Sequence, residues 1–343
     1  MAPVIRAFEP RHEEAWDRFV AAAPAGTFFH RAGWRDVIEG GFSQRAHYLF
    51  AEQDGTVTGV LPLVHMRSRL FGNRLVSAPF CVYGGPLAAD AESAQTLVDC
   101  AVDLMRQLGV GVVEFRTQTA GADDWTTRSD LYATFRKPIS CDPEANLKAI
   151  PRKQRAVVRK GLENGLHSRI DQNVDRFHAL YALSVRNLGT PVFSRRYLRL
   201  LVDRFRDCCE ILTVLDDGEP ISAVLSFFFR EEVLPYYGAN TPSARHRAAS
   251  DYMYWDVMQR AAVRGARIFD FGRSKFGTGS FAFKKNWGFA PQPLHYQYWT
   301  RPGDAVPDVN PLNPKYQLMI RAWKRLPLPV ANLIGPAIVR GIG

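Results

Sequence analysis

A mixed α/β fold written twice in one chain is predicted by three observations. Strand-like runs come in pairs split by Asp-Gly turns, longer stretches carry the apolar period of helices, and both recur in the same order after about 150 residues. The expected architecture is α/β in the α+β sense: two tandem domains, each a mixed, mostly antiparallel sheet flanked by helices.

In the first copy, Glu13, Glu14, Trp16, Phe19 and Val20 give an amphipathic helix within residues 8–20, and a second short helix opens near Val37. Residues 45–52 and 57–65 flank Asp54-Gly55 and read as a hairpin, with a third strand at 74–80. After the Gly84-Gly85-Pro86 turn, Ala94, Leu97, Val98, Ala101, Leu104 and Met105 mark a helix over 91–107. Gly109 ends it, and residues 110–116 form a strand.

The second copy repeats this order. A helix opens at Phe193 to Tyr197, strands at 209–215 and 221–229 flank Asp217-Gly218, another strand covers 232–237, and a helix over 251–263 ends at Gly265 before a strand at 267–271. Phe29 and Phe193, Gly55 and Gly218, Gly109 and Gly265, and Phe115 and Phe271 are separated by 164, 163, 156 and 156 residues. Four matched landmarks favour duplication, with domains at 1–150 and 151–305 and a basic apolar tail at 306–343.

Of the 343 residues, 46% are hydrophobic and 23% charged, which excludes a largely disordered chain. The formal net charge of +10 favours anionic partners. Five cysteines without a C-x-x-C pattern suggest reduced thiols and a cytoplasmic location. The N-terminus has no apolar signal core, and residues 326–342 are cut by Pro327, Pro329, Gly335 and Pro336, so no spanning helix is expected. No metal-binding histidine pattern, Gly-x-Ser-x-Gly elbow or Walker loop occurs, so neither metal nor permanent cofactor is expected.

Two stretches draw the chemistry. Residues 151–165 are the most basic run, where Arg152, Arg155 and Arg159 share one helical face beside Lys153 and Lys160, while Val158, Leu162 and Leu166 face protein. Residues 269–289 read Phe-Asp-Phe-Gly-Arg-Ser-Lys-Phe-Gly-Thr-Gly-Ser-Phe-Ala-Phe-Lys-Lys-Asn-Trp-Gly-Phe. A short strand there runs into a Gly-rich cationic loop suited to an anion, followed by aromatics around Lys284 and Lys285. In the first copy the corresponding strand runs into an acidic segment, residues 117–124, which places the active site in the second.

The duplicated unit, the helix over 152–160, Phe269-Asp-Phe-Gly272 and Phe283-Lys-x-x-Trp-Gly288 together resemble the FemAB-like branch of the GNAT acyltransferase superfamily. The nearest resemblance is to the FemAB proteins associated with exosortase/PEP-CTERM exopolysaccharide systems, and it includes the tail at residues 307–315. It implies tandem GNAT-like domains and N-acyl or aminoacyl transfer onto an amine of a cell-envelope or exopolysaccharide precursor. The co-substrate is open between acyl-CoA and aminoacyl-tRNA. An anionic glycan or peptidoglycan-type precursor, tRNA and an anionic membrane surface are the implied partners.

By this resemblance Lys284 is functional, as an oxyanion or donor-orienting cation. Asp270 is either a base for the attacking amine or a structural acid capping the Gly272 turn. Arg273, Ser274 and Lys275 suit phosphate or carboxylate. Tyr236, Tyr237 and Trp287 offer stacking or hydrogen bonds, and Arg152, Arg155 and Arg159 would dock tRNA or a diphosphate. In acetyl-CoA-dependent GNATs a Gln/Arg-x-x-Gly-x-Gly/Ala loop cradles pyrophosphate. The nearest string is residues 245–250, with Arg245, Arg247 and Ser250 as candidates and Ala248 and Ser250 in the glycine places. From residue 315 onward, cations without acids interleave with apolar residues, a composition suited either to a bilayer surface or to packing on a domain. The rival function is a non-catalytic glycan-precursor or membrane adaptor that retains the duplicated fold.

Overall fold

The structure, a computed structural model, describes residues 2–68, 71–119, 121, 125–301, 303–304, 306 and 314–343. Residues 307–313, much of the acidic segment 117–124 and the Lys315 side chain lie outside the described parts.

The chain forms two compact units, residues 1–130, 294–310 and 337–343 in the first, and 131–293 and 311–336 in the second. In chain order the first unit contributes β1 (Val4–Ala7), α1 (Glu13–Ala22), α2 (Trp34–Phe42), β2 (Arg45–Gln53), β3 (Thr56–Ser68), β4 (Gly72–Ser77), β5 (Leu87–Ala88), α3 (Ala91–Gln107), β6 (Val112–Thr117) and β7 (Thr126–Arg128). The second follows with β8 (Tyr132–Thr134), β9 (Arg136–Pro138), α4 (Pro143–Lys148), α5 (Arg152–Glu163), β10 (His167–Ile170), α6 (Val174–Leu188), α7 (Arg195–Arg204), β11 (Cys209–Asp216), β12 (Glu219–Phe229) and β13 (Glu232–Asn240). It continues through α8 (Ala249–Val263), β14 (Ile268–Asp270), β15 (Ser274–Lys275), α9 (Gly279–Asn286) and β16 (Gln292–Pro293). The remaining elements are β17 (His295–Thr300), α10 (Pro314–Lys324) and α11 (Leu328–Val339).

The sheet of the first unit runs β1-β2-β3-β4-β6-β17-β7, with β5 on β3; that of the second runs β10-β11-β12-β13-β14-β9 beside a small β15-β8-β16 sheet. Each main sheet is antiparallel except for one parallel pair, β4 with β6 and β13 with β14. A helix, α3 or α8, lies between the strands of each pair in sequence. Both copies therefore share strand-helix-helix-three strands-helix-strand, closed by one antiparallel strand, β17 or β9.

The division falls at residue 130 rather than 150. Residues 131–150 supply β9, which pairs with the edge of β14, and α4, whose Leu147 belongs to the core around Trp287 and Phe269. Conversely, β17 covers β6 of the first unit over six residue pairs. The tail does not stand alone either: Trp323, Ala331 and Val339 are buried, and Gln44 and Arg116 donate to the main-chain carbonyls of Arg340 and Gly343 at 3.0 Å each.

Helix α5 packs on α8 through Val158 and Gly161, with Leu166 buried just beyond its end, whereas Leu162, expected to face protein, is 45% exposed. A Cβ on Gly161 would lie 3.0 Å from the carbonyl oxygen of Ala248 and 3.1 Å from Cβ of Tyr252. That closeness requires glycine there and rotates Leu162 outward.

Candidate functional site

β13 and β14 pair only at Glu232 with Ile268 and Val233 with Phe269. Beyond Val233 no further residue pair joins β13 to β14 among the described residues. Between Pro235 and Tyr237 the register with β12 slips by one, making Tyr236 the extra residue of a bulge. Tyr236 is half-buried, but Tyr237 is buried, with its hydroxyl 2.8 Å from that of Tyr197 and its ring against Tyr181 and Phe193. Tyr237 is thus a core residue rather than a substrate-facing one.

The loop after β14 is held by a buried pair of opposite charges. Oδ1 of Asp270 accepts from the N–H of Gly272 at 2.7 Å and from the Thr134 hydroxyl at 3.4 Å, while Arg136 Nε lies 3.6 Å from Oδ2. Arg136 also pairs with Glu232. Nζ of Lys284 donates to the carbonyls of Gly272 and Arg273 at 2.9 and 3.0 Å and sits 5.5 Å from the Phe135 ring centroid. Burial lowers the Lys284 ammonium from its usual 10.5 to about 7, with Asp270 opposing the shift and Arg273 adding to it.

Lys284 lies on a helix, α9. The Thr278 hydroxyl caps that helix by accepting from Phe281 N at 3.4 Å, and the helical turn leaves Lys285 exposed while Lys284 and Trp287 face inward. Beyond the clamp, Arg273 and Lys275 lie 5.0 and 5.9 Å from the Tyr132 ring centroid and are half-buried. Ser274 is buried and does not reach solvent.

A second centre forms at the start of α8. Oδ1 of Asp251 accepts from Trp287 Nε1 at 2.9 Å and from Gln154 Nε2, so one carboxylate joins α9, α8 and the basic helix α5. Burial raises its pKa, opposed by the bonds from Trp287 and Gln154. Trp287, fully buried, is therefore a structural donor and not a stacking platform. Arg247 is also engaged, donating to the Asn164 carbonyl at 2.8 Å and to Asp216 at 2.6 Å. Ser250 donates to Asn240 at 2.8 Å, and Arg245 is exposed.

On α5, Arg155 folds back to the carbonyls of Lys148, the last residue of α4, and of Ile150, at 2.8 and 2.9 Å. Its guanidinium thus caps the end of α4. Arg152, Lys153, Arg159 and Lys160 are exposed.

Residues 148–285 match the model of a family described as an acetyltransferase (GNAT) domain. The second unit has the GNAT fold. Three solved structures extend this likeness to the whole GNAT pair. FemX superposes with a TM-score of 0.67 at 16% identity, over 92% of this chain and 100% of that one. The C-terminal domain of a putative lysylphosphatidylglycerol synthetase from Agrobacterium fabrum gives 0.57 at 13% identity, over 85% and 93%. A tandem GNAT protein from the clavulanic acid biosynthesis pathway gives 0.52 at 13%, over 89% and 100%. These likenesses show a tandem GNAT fold. No curated protein matches the chain in sequence.

Within the GNAT domain the structure brings Asp270, Arg273 and Lys284 together and links Trp287, but not Lys284 itself, to α5. Sequence reasoning passed over Arg136, Gln154, Asp251 and Tyr254. Tyr254 packs on Phe271 and Phe283, and a Cβ on Gly238 would lie 2.6 Å from its hydroxyl, so the phenol rests on the splayed edge of β13. Its position one helical turn after Asp251 was the available signal, because i and i+3 share a face.

Proposed function

We propose that this GNAT-fold protein transfers an aminoacyl group from aminoacyl-tRNA to an amine of an anionic cell-envelope precursor. The observation that carries the choice of donor is the start of α8. A diphosphate cradle needs open N–H groups and close backbone approach at a helix N-terminus. Here the buried carboxylate of Asp251 occupies the first turn and α5 packs against Ala248 and Tyr252. A coenzyme A diphosphate would meet negative charge and a neighbouring helix. The exposed cations Arg152, Lys153, Arg159 and Lys160 favour instead an extended polyanion. The solved neighbours include FemX and a putative lysylphosphatidylglycerol synthetase, whose name denotes joining lysine to a lipid.

In the proposed reaction a neutral amine nitrogen attacks the carbonyl carbon of the aminoacyl ester. A C–N bond forms, the C–O bond to the tRNA ribose breaks, and the amine proton passes to the leaving oxygen. Two of the three Lys284 donors hold main-chain carbonyls, and the third would stabilise the developing oxyanion. Asp270 acts through Gly272 as a positioning residue. Aminoacyl-tRNA as donor requires a cytoplasmic setting.

The test is donor binding followed by transfer. Aminoacyl-tRNA is expected to bind with steep salt dependence and to support amide formation on a muropeptide or amino-sugar precursor, while acetyl-CoA gives no thermal stabilisation. Saturable stabilisation by acetyl-CoA, with tRNA inert, would overturn the choice of donor.

A further inference from the structure

The outward face of α10 and α11 exposes an apolar surface that the transfer chemistry does not use. Ten large hydrophobic residues are exposed among the described residues, and five of them lie here: Leu318, Met319, Val330, Leu333 and Ile334. Leu333 is 79% exposed and Leu318 70%. Val330, Leu333 and Ile334 stand at i, i+3 and i+4, so they form one stripe along α11. The other side of this helix is packed, with Ala331 buried and Gly335 so close to Val192 that a Cβ would lie 3.0 Å from its main-chain nitrogen. Along its whole length, Leu328–Val339, α11 carries no charged residue.

Soluble helices place polar residues on their water side, and an apolar stripe there marks an interaction surface. Its charge surroundings select the partner. Arg321 and Lys324 on α10 and Arg325 just after it are exposed, and no acid occurs from Pro314 to Gly343. A second copy would bring like charges together, whereas an anionic bilayer offers apolar depth beneath a negative surface. We infer that the α10–α11 segment docks in the interface of a membrane containing anionic lipid. The apolar stripe enters the acyl boundary and the three cations meet the headgroups. No helix among the described residues is long and apolar enough to cross the membrane, so the attachment is peripheral.

The inference is independent of the transfer reading, because vesicle binding needs no donor. The full chain is floated with vesicles of phosphatidylcholine alone and of phosphatidylcholine with about a third phosphatidylglycerol. It is expected to float with the anionic vesicles and to release at high salt. Arg321→Gln with Arg325→Gln should weaken binding about 25-fold, from roughly fivefold per cation. Leu333→Asn should weaken it on the same vesicles with an unchanged melting curve, since Leu333 is already exposed. Absence of flotation, equal binding to neutral vesicles, or wild-type binding by Leu333→Asn would overturn the inference. So would a dimer in light scattering that Leu333→Asn dissociates, which would assign the face to a second copy.

Discussion

Asp270 and Lys284 grip the two polar groups of a single residue: the carboxylate accepts the Gly272 N–H at 2.7 Å, and the ammonium donates to the Gly272 carbonyl at 2.9 Å. Gly272 has φ +66°, a conformation that L side chains adopt at a cost of about 1 kcal/mol or more. The charge pair therefore fixes the turn that leads into Arg273.

Lys284→Ala should lower kcat at least about 100-fold, the usual cost of losing an oxyanion donor. The pH profile identifies the form of Lys284 that works. A working ammonium loses activity as pH rises through about 7, whereas a working neutral amine gains it over the same interval.

Stability should respond to the same group. With a folded pKa of about 7 against 10.5 unfolded, the unfolded chain binds the additional proton between these values. Unfolding free energy then rises with pH across that window, with a limiting slope of about 1.4 kcal/mol per pH unit. The penalty is complete below pH 7 and absent above 10.5. Chemical denaturation of the wild type and Lys284→Met across this range should show the slope only in the wild type.

Trp287→Phe preserves most of the ring volume but removes the indole N–H from Asp251. Leaving a buried carboxylate short of a donor should cost about 1–3 kcal/mol, read as a lower denaturation midpoint.

The basic helix should separate into two kinds of arginine. Arg152→Ala with Arg159→Ala should flatten the dependence of log K on log salt for tRNA by roughly two, leaving melting unchanged. Arg155→Ala should instead destabilise the fold, because its guanidinium caps α4.

Much of this architecture was legible in local pattern. The hairpin around Asp217-Gly218 and the helix over residues 251–263 appear as β11, β12 and α8, because Asp-Gly turns and apolar periodicity are local signals. β8, β9, β15 and β16 span only two or three residues and have no alternation to read. α9 was hidden because the spacing of Phe281, Phe283 and Phe289 also suits an extended chain, and Thr278 as its cap becomes clear only in three dimensions.

The candidate site was legible as a cluster of residue types but not as contacts. Asp270 and Lys284 meet at Gly272, while Trp287, Tyr237, Arg155 and Arg247 are held by partners from other elements. No spacing rule relates them to those partners, Asp251, Tyr197, Lys148 and Asp216.

The position of β17 sets a timetable for synthesis. β6 ends at Thr117, but the strand that covers it begins at His295 and ends at Thr300. At roughly 5–20 residues per second, a nascent first unit waits about 10–40 s with that edge uncovered while the whole second GNAT domain is made. A gene cut at residue 150 would leave the edge open permanently, so that fragment is expected to aggregate, whereas one joining residues 1–130 to 294–306 through a short linker should recover a soluble sheet.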